Sequence, residues 1–249
     1  MHDEKQVKEK TLEYFNGDEL ATNVWMTKYC LKDKQGNYME LTPDDMHRRL
    51  AKEFARIESK FENSLKEEDI YGLLKNFDNI VPQGSPMFGI GNDYVNASLS
   101  NCVVVASPED NISSIMDSGK QLANLFKNRC GVGLDISELR PENAIVNNAA
   151  RTTTGAWSFA DFYSYVCRMI GQNGRRGALM ISMDVRHPDI EQFVTMKHDL
   201  TKVTGANVSV KISDDFMRAV ENKEKFTLQF PVDSDSPTYT KEVEAVELW

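Results

Sequence analysis

The sequence predicts an α/β protein in which a charged helical region precedes a parallel sheet. Two observations support this fold class. Residues 1–81 carry apolar side chains at helical spacing, and from residue 102 onward five strand-like runs alternate with four helical stretches. Such alternation is typical of right-handed β-α-β units, which build parallel sheets. We therefore predict a helical domain over residues 1–81 and an α/β domain over residues 82–249.

The helical region contains a clear helix start at Thr42-Pro43-Asp44-Asp45. Thr42 is a suitable N-cap, proline is favoured at the first helical position, and acids are favoured in the first turn. Apolar residues at spacings of 3 and 4 then predict one buried stripe, made of Met46, Leu50, Phe54, Ile57 and Phe61. A shorter helix is expected around residues 69–76. The Gly-, Pro-, Ser- and Asn-rich segment 82–100 predicts a long ordered loop.

The α/β region is expected to hold strands at 102–106, 132–136, 178–183, 208–212 and 226–230. Helices are expected between them, one opened by His187-Pro188-Asp189 and one capped by Ser213. Five parallel strands are too few to close a barrel, so either an open sheet or part of a larger structure is consistent with the pattern. The ending, KEVEAVELW, reads as helical. Ligands are expected in the loops beyond the carboxyl ends of the first three strands.

Composition excludes several classes of protein. The net charge of −9 argues against a protein that binds a nucleic-acid backbone. The N-terminus is charged and unlike a signal peptide, and no run of about 18 apolar residues predicts a membrane span, so a cytoplasmic location is expected. The four cysteines form no CxxC motif, so neither a zinc site nor a disulfide framework is predicted. His187 and His198 lack a third ligand at suitable spacing, and no metal site is expected.

Three stretches are candidates for chemistry. Cys102, in SLSNCVVV, is either a small buried residue at the start of a strand or a redox-active thiol. GQNGRRGALM, residues 171–180, offers glycines for tight turns and arginines for phosphate oxygens, or a helix end with solvated arginines. Asp110 is most simply a helix cap, although its carboxylate could accept ribose hydroxyls.

Six blocks in order resemble the large (α) catalytic chain of ribonucleotide reductase, most closely its adenosylcobalamin-dependent class II type. They are PQGSPMFGIGN, SLSNCVV, NRCGVGLDISELRP, GRRGALM, HPDIEQFVTMK and TGANVSVKISDDFM. The class I large subunits share this core. The resemblance implies a ten-stranded α/β barrel built from two five-stranded halves. The predicted strands would form the first parallel half, and residues 1–81 the N-terminal helical domain.

The resemblance also implies roles for individual residues. Cys102 matches one of two thiols that reduce the ribose and become a disulfide. The implied substrate-binding residues are Ser85, Ser100, Asn101, Gly131 and Gly133. The implied residues for the deoxynucleotide effector are Asp110, Asn111, Ile112 and Arg140. The loop that relays effector identity to substrate choice would comprise Gln172, Asn173, Gly174, Arg175, Arg176 and Gly177.

Several cofactors and partners follow from the resemblance. They are adenosylcobalamin with contacts mostly outside this chain, dNTP or ATP effectors, a ribonucleotide substrate, a thioredoxin-like reductant, a complementing C-terminal half chain and a second copy in a homodimer. A class I enzyme would instead use a radical-generating small subunit. The sequence stops before the family's second redox cysteine and its radical cysteine, so the chain alone is expected to be inactive. Cys130 is expected only to pack.

Two other hypotheses remain open at this point. A stand-alone nucleotide-sensing module would keep the effector site and lack the chemistry. An unrelated α/β protein with an open sheet would bind no deoxynucleotide.

Overall fold

The computed structural model describes residues 1–170, 177–199 and 201–249, which form two compact units, Met1–Asn101 and Cys102–Trp249. The helices are α1 (Glu4–Tyr14), α2 (Glu19–Lys28), α3 (Pro43–Glu58), α4 (Glu67–Leu74), α5 (Gly84–Gly89), α6 (Ile112–Lys127), α7 (Ala156–Met169), α8 (Ile190–Thr195), α9 (Asp214–Asn222) and α10 (Ala245–Leu248). The strands are β1 (Cys102–Val104), β2 (Gly131–Asp135), β3 (Leu179–Asp184), β4 (Asn207–Lys211), β5 (Lys225–Phe230) and β6 (Tyr239–Glu244).

The first unit is helical, and α3 begins where the sequence predicts. The Asp45 carboxylate accepts hydrogen bonds from the backbone N–H groups of Leu41 (2.8 Å) and Thr42 (3.1 Å). These bonds satisfy donors that a helix start would otherwise leave unpaired. The apolar stripe of α3 is buried only in its first half. Met46 and Leu50 belong to the core of the unit, whereas three stripe residues are 38–64% exposed: Phe54, Ile57 and Phe61.

The segment 82–100 is not entirely a loop, because it contains the short helix α5. Pro86 lies in the first turn of this helix, where its missing N–H costs no hydrogen bond. The N–H of Ser85 donates to Oδ1 of Asn101 (2.7 Å). The Gly- and Pro-rich composition did not predict this helix, because its first turn is stabilised by Asn101, which lies 16 positions beyond Ser85 in the chain.

The second unit is built on a four-stranded parallel sheet in the order β1-β2-β3-β4. These strands correspond to four of the five predicted ones. One face of the sheet packs against α6, α7 and α8 in a core that includes Leu122, Phe126, Leu134, Tyr163, Ile181 and Phe193. Ser213 caps α9 as predicted, because its Oγ accepts from the N–H of Phe216 (3.2 Å).

The fifth predicted strand exists but does not join the parallel sheet, so the expected five-stranded parallel half is not what the described residues form. β5 pairs with β6 in an antiparallel hairpin, from Lys225 opposite Glu244 to Phe230 opposite Tyr239. The intervening segment 231–238 is rich in Pro, Asp and Ser, which favour a chain reversal. β6 was missed because most of its residues are exposed and give no apolar periodicity; only Ala245–Leu248 is helical.

The second face of the sheet carries small, polar or exposed side chains. Because side chains alternate along a strand, Cys102 and Val104 lie on this face, opposite Val103. In register with Val104 lie Gly133, then Met180 and Asn207. Val104 is 86% exposed and Met180 is 42% exposed. We call this surface the open face. Within the described ranges, no helix is long and apolar enough to cross a lipid bilayer.

Candidate functional site at the two edges of the sheet

Cys102 is the first residue of β1, at the edge formed by the amino ends of the parallel strands. Its side chain is exposed, whereas Cys30, Cys130 and Cys167 are buried. The interpretation of Cys102 as buried filler is therefore wrong. Accessibility is what a thiol needs for exchange with another sulfur. Cys130 is 1% exposed, and its Sγ donates to the carbonyl of Gly131 (3.3 Å). Its burial is consistent with the packing role expected for it.

Glycine backbone lies beside this thiol. Gly131 pairs with Cys102 and Gly133 pairs with Val104. A Cβ placed on Gly133 would meet Cγ2 of Val104 at 3.6 Å, which is an ordinary contact. The nearest protein atoms therefore leave room for a side chain at Gly133. The glycine keeps bare backbone on the open face, where a ligand can approach closely.

The remaining predicted substrate residues lie in the first unit. Ser85 is 1% exposed, and Asn101 holds its backbone N–H as described above. Ser100 is exposed and lies in a turn in which its N–H donates to Oγ of Ser98 (3.1 Å). The structure thus brings Ser85 and Asn101 together in one unit, and Cys102 and the glycines of β2 together in the other. Five predicted residues lie outside the described residues: Gln172, Asn173, Gly174, Arg175 and Arg176.

All four predicted effector residues line one cavity at the opposite edge, beyond the carboxyl ends of the strands. The cavity measures about 440 Å³ and lies between the loops after β1 and β2 and the starts of α6 and α7. Its walls include Asp110, Asn111, Ile112, Ile115, Arg140, Val146, Thr154 and Phe159. The structure thus brings the four predicted effector residues together at one cavity.

The interpretation of Asp110 as a helix cap is wrong. Asn111, not Asp110, caps α6, because Oδ1 of Asn111 accepts from the N–H of Ser114 (2.9 Å). Asp110 instead pairs with Arg140: Nε donates to Oδ2 at 2.6 Å and the backbone N–H donates to Oδ1 at 3.2 Å. Nη1 of Arg140 also donates to the carbonyl of Ile145 (3.0 Å). The guanidinium is thus held in place at the wall of the cavity.

A buried carboxylate that the sequence did not single out fixes two walls of this cavity. Asp189 is 8% exposed, and its oxygens accept from the N–H groups of Glu142 (3.0 Å to each oxygen) and Ala156 (3.2 Å). These bonds join the loop after β2 to the start of α7. The only signal in the sequence was the His-Pro-Asp turn before α8, which does not reveal partners 33 and 47 positions away.

His187 has a structural role beside Asp189. Its Nδ1 accepts from the N–H of Asp189 (3.0 Å), so the proton lies on Nε2, which donates to the carbonyl of Leu139 (2.8 Å). Burial lowers the pKa of His187 and favours this neutral form. Among the residues described, no group of three or more His, Cys, Asp or Glu is arranged to hold a metal ion.

A second polar cluster lies at the carboxyl ends of the middle strands. Asp135 accepts from Oγ of Ser182 (2.7 Å) and pairs with Nζ of Lys211 (3.2 Å). Burial opposes the charged form, but hydrogen bonds from Ser182 and Ser137 outweigh it and lower the pKa of Asp135. Asp184 pairs with Arg186 (3.0 Å), which also reaches Asp233 (2.8 Å). These partners all come from within the second unit.

Comparison with known proteins shows similarity to one family. The family model for the ribonucleotide reductase barrel domain matches residues 100–247. A vitamin B12-dependent ribonucleoside-diphosphate reductase of Mycobacterium tuberculosis is 34% identical over 206 residues, which is 81% of this chain and 29% of that protein. One from Thermoplasma acidophilum is 31% identical over 69% of this chain and 22% of its own length. The ribonucleoside-diphosphate reductase large subunit of Caenorhabditis elegans is 27% identical over 53% of this chain and 18% of its own length.

The fold and the two edges define an α/β protein with an accessible thiol at one end of a parallel sheet and a polar cavity at the other. The chain belongs to the ribonucleotide reductase family, and its parallel sheet is consistent with part of the barrel domain of the large chain. It spans less than a third of the length of these relatives.

Proposed function

We propose that this chain is the N-terminal part of a ribonucleotide reductase large chain, which converts ribonucleotides to deoxyribonucleotides. The observation that carries the proposal is Cys102, the accessible thiol among the cysteines, at the head of β1 beside bare glycine backbone. Residues 1–81 would form the N-terminal helical domain, and residues 82–249 would belong to the catalytic barrel.

The proposed chemistry needs two thiols. The ribose 2′ hydroxyl leaves as water, a hydrogen takes its place, and the two electrons come from a thiol pair that becomes a disulfide. A thioredoxin-like reductant would then restore the thiols. Cys102 would be one member of the pair. Because Cys30, Cys130 and Cys167 are buried, the second thiol would come from a complementing C-terminal half chain, and this chain alone would be inactive.

Five residues are proposed to bind the substrate. Gly131 and Gly133 would let the sheet backbone lie against the nucleoside, which the free space above Gly133 supports. Ser85 would lie near the diphosphate, with Ser100 and Asn101 beside it. The hydrogen bond from the N–H of Ser85 to the side chain of Asn101 supports the placement of Ser85 near the diphosphate, because it fixes the backbone there.

The cavity at the carboxyl edge would bind a deoxynucleotide effector. Arg140 would bind phosphate oxygens through its forked donors, and Asp110 would accept a deoxyribose hydroxyl. Asn111 and Ile112 would complete the wall. Residues 172–177 would relay effector identity to substrate choice, and a homodimer is expected as the assembly.

The radical source is proposed from the relatives. The Mycobacterium tuberculosis and Thermoplasma acidophilum proteins are named vitamin B12-dependent, so adenosylcobalamin is favoured over a radical-generating small subunit. The residues described here do not form a pocket for this cofactor. Cys102 lies on an exposed surface, and the cavity at the carboxyl edge does not include it. Cobalamin contacts would therefore lie in the rest of the large chain.

Reconstitution with the remainder of a large chain tests the proposal. The mixture would receive adenosylcobalamin, dithiothreitol and a ribonucleoside diphosphate, and formation of the deoxynucleotide would be measured. We expect turnover that Cys102→Ser abolishes and the buried control Cys130→Ala keeps. Turnover by Cys102→Ser at the wild-type rate would contradict the proposal. Deoxynucleotide binding without any turnover would instead favour the nucleotide-sensing alternative.

A further inference from the structure

Asp189 stands at the start of α8, but its side chain bonds away from that helix. It is the N-cap residue of α8, and its carboxylate makes no hydrogen bond to the first turn. An aspartate at this position ordinarily accepts from the N–H groups of its own helix. Here the carboxylate, 8% exposed, accepts instead from the N–H groups of Glu142 and Ala156. The side chain therefore serves a contact outside α8.

Glu142 and Ala156 begin and end one hairpin, which we call the cavity hairpin. Its two legs are antiparallel, because the N–H of Asn143 donates to the carbonyl of Thr153 (3.0 Å) and the N–H of Thr153 donates to the carbonyl of Ala144 (3.1 Å). The carboxylate in α8 bonds the first and the last residue of this hairpin at once. One side chain thus joins the two legs at their foot.

The foot of the cavity hairpin is also closely packed. Gly155 has a φ of +87°, a conformation that favours glycine. A Cβ at this position would lie 2.7 Å from Oδ2 of Asp189 and 2.9 Å from Cβ of Glu142. Position 155 therefore has no room for a side chain, and both legs approach the carboxylate through backbone.

The cavity hairpin forms most of the wall of the cavity at the carboxyl edge. More than half of the residues that line this cavity lie between Val146 and Thr154. The carbonyl of Ile145, in the same hairpin, accepts from Nη1 of Arg140 (3.0 Å). The position of the hairpin therefore affects both the shape of the cavity and the orientation of the guanidinium at its wall.

We propose that Asp189 is a positioning residue for deoxynucleotide binding, which holds the cavity hairpin in the conformation that binds. The inference rests on the proposed function, in which this cavity takes the effector. Asp189 is not among the residues that line the cavity, and it would touch neither nucleotide nor substrate.

This role has a characteristic effect on affinity. Loss of the carboxylate lowers the fraction of molecules whose hairpin is in place, and the apparent Kd rises by the inverse of that fraction. The fraction belongs to the free protein and does not depend on the ligand. The same factor therefore applies to every deoxynucleotide, unlike the loss of a group that contacts the base.

Calorimetric titration of the whole chain with each of the four deoxynucleoside triphosphates tests this proposal. Asp189→Asn keeps one oxygen but turns an NH2 group toward one leg, so it releases that leg. We expect the Kd to rise by about fivefold for all four nucleotides, with the ratios between them unchanged. Wild-type Kd values, or a loss confined to one nucleotide, would overturn the proposal.

Gly155→Ala is a second variant that leaves the carboxylate intact. Its methyl group would push the legs away from Asp189, so all four Kd values should again rise by a common factor. If Asp189→Asn fails to fold, Gly155→Ala decides the question, because wild-type Kd values in this variant would equally overturn the proposal.

Asp161→Ala is the matched control. The carboxylate of Asp161 also accepts from the N–H of a residue distant in the chain, Val203 (2.9 Å), but Asp161 does not line the cavity. Each of the variants Asp161→Ala and Asp189→Asn loses one such bond, so each should lower the Tm by about 5 °C. Asp161→Ala should leave all four Kd values unchanged. An equal rise in Kd in both variants would show that Asp189 only supports the fold, and would overturn its positioning role.

Titration of the wild type separates this inference from the proposed function. If the wild type bound none of the four deoxynucleotides, the proposed function would be overturned, and the role of Asp189 with it. If the wild type bound them and Asp189→Asn bound them equally well, the role of Asp189 alone would be overturned.

Discussion

The two edges of the parallel sheet are built in opposite ways. At the carboxyl edge, charged side chains are held by fixed partners. Asp110 pairs with Arg140, Asp135 pairs with Lys211, and Asp189 accepts hydrogen bonds from backbone N–H groups. The amino edge instead offers the exposed thiol of Cys102 and glycine backbone. The difference separates two kinds of binding. A ligand at the carboxyl edge meets partners already fixed in place, whereas a ligand at the amino edge fills space that the chain keeps free of side chains.

The largest effect on stability is expected from replacing Asp189 at the carboxyl edge. Asp189→Ala leaves the N–H groups of Glu142 and of the buried Ala156 without their acceptor, which should cost about 3 kcal/mol of unfolding free energy. Asp189→Asn keeps one oxygen and should cost less. Urea unfolding measures both. At the amino edge, Cys102→Ala should change stability by less than about 0.5 kcal/mol, since the thiol is exposed. Equal costs at Asp189 and Cys102 would remove the contrast between the edges.

A smaller effect is expected on deoxynucleotide affinity. Arg140→Ala removes forked donors from the cavity wall and should raise the Kd by about tenfold or more. Arg186→Ala is the matched control, because Arg186 also pairs with aspartates at this edge but is not among the residues that line the cavity. Its Kd should equal that of the wild type. A similar loss in both variants would show that ion pairs at this edge support the fold rather than the ligand.

Acid should weaken the carboxyl edge through His187. Burial lowers the pKa of His187 below its unfolded value of about 6.5, so the unfolded chain binds the proton first as the pH falls. Stability is therefore complete above about pH 6.5 and falls with decreasing pH toward the folded pKa. Protonation of Nδ1 would also break its bond from Asp189.

Urea unfolding at pH 7.5, 6.5 and 5.5 checks this dependence. Burial also lowers the pKa of His47 in the first unit, which adds a slope of the same sign. The informative comparison is therefore wild type against His187→Gln, which should be less stable at pH 7.5 but should lose less stability on acidification. An identical pH dependence in the two proteins would exclude His187 as a source.

The smallest effect is expected at Cys130. This residue is buried, and its Sγ donates to the carbonyl of the neighbouring Gly131. In the reconstituted enzyme, Cys130→Ala should change kcat/KM by less than about threefold. A loss of about thirtyfold, or 2 kcal/mol in transition-state terms, would show that Cys130 does more than pack.

Local signals predicted much of the fold. The start of α3, the cap of α9 and four parallel strands follow from capping residues and apolar runs, because those interactions involve neighbours in the chain. The β5–β6 hairpin was missed because β6 is largely exposed and lacks the apolar pattern of a buried strand.

For the candidate site, the sequence suggested which residues belong together but did not reveal how they contact one another. Ordered sequence blocks assigned Asp110 and Arg140 to one site, and both line the same cavity. Their ion pair, the cap at Asn111 and the role of Asp189 depend on side chains that meet only in the folded chain.

Calorimetric titration of the chain with each deoxynucleoside triphosphate tests most directly whether the cavity at the carboxyl edge is a deoxynucleotide site. Asp110→Ala and Arg186→Ala would be titrated beside the wild type. We predict saturable binding to the wild type and to Arg186→Ala, and binding weakened by about tenfold or more in Asp110→Ala. Equal affinity in Asp110→Ala and the wild type would place the nucleotide elsewhere and contradict this assignment.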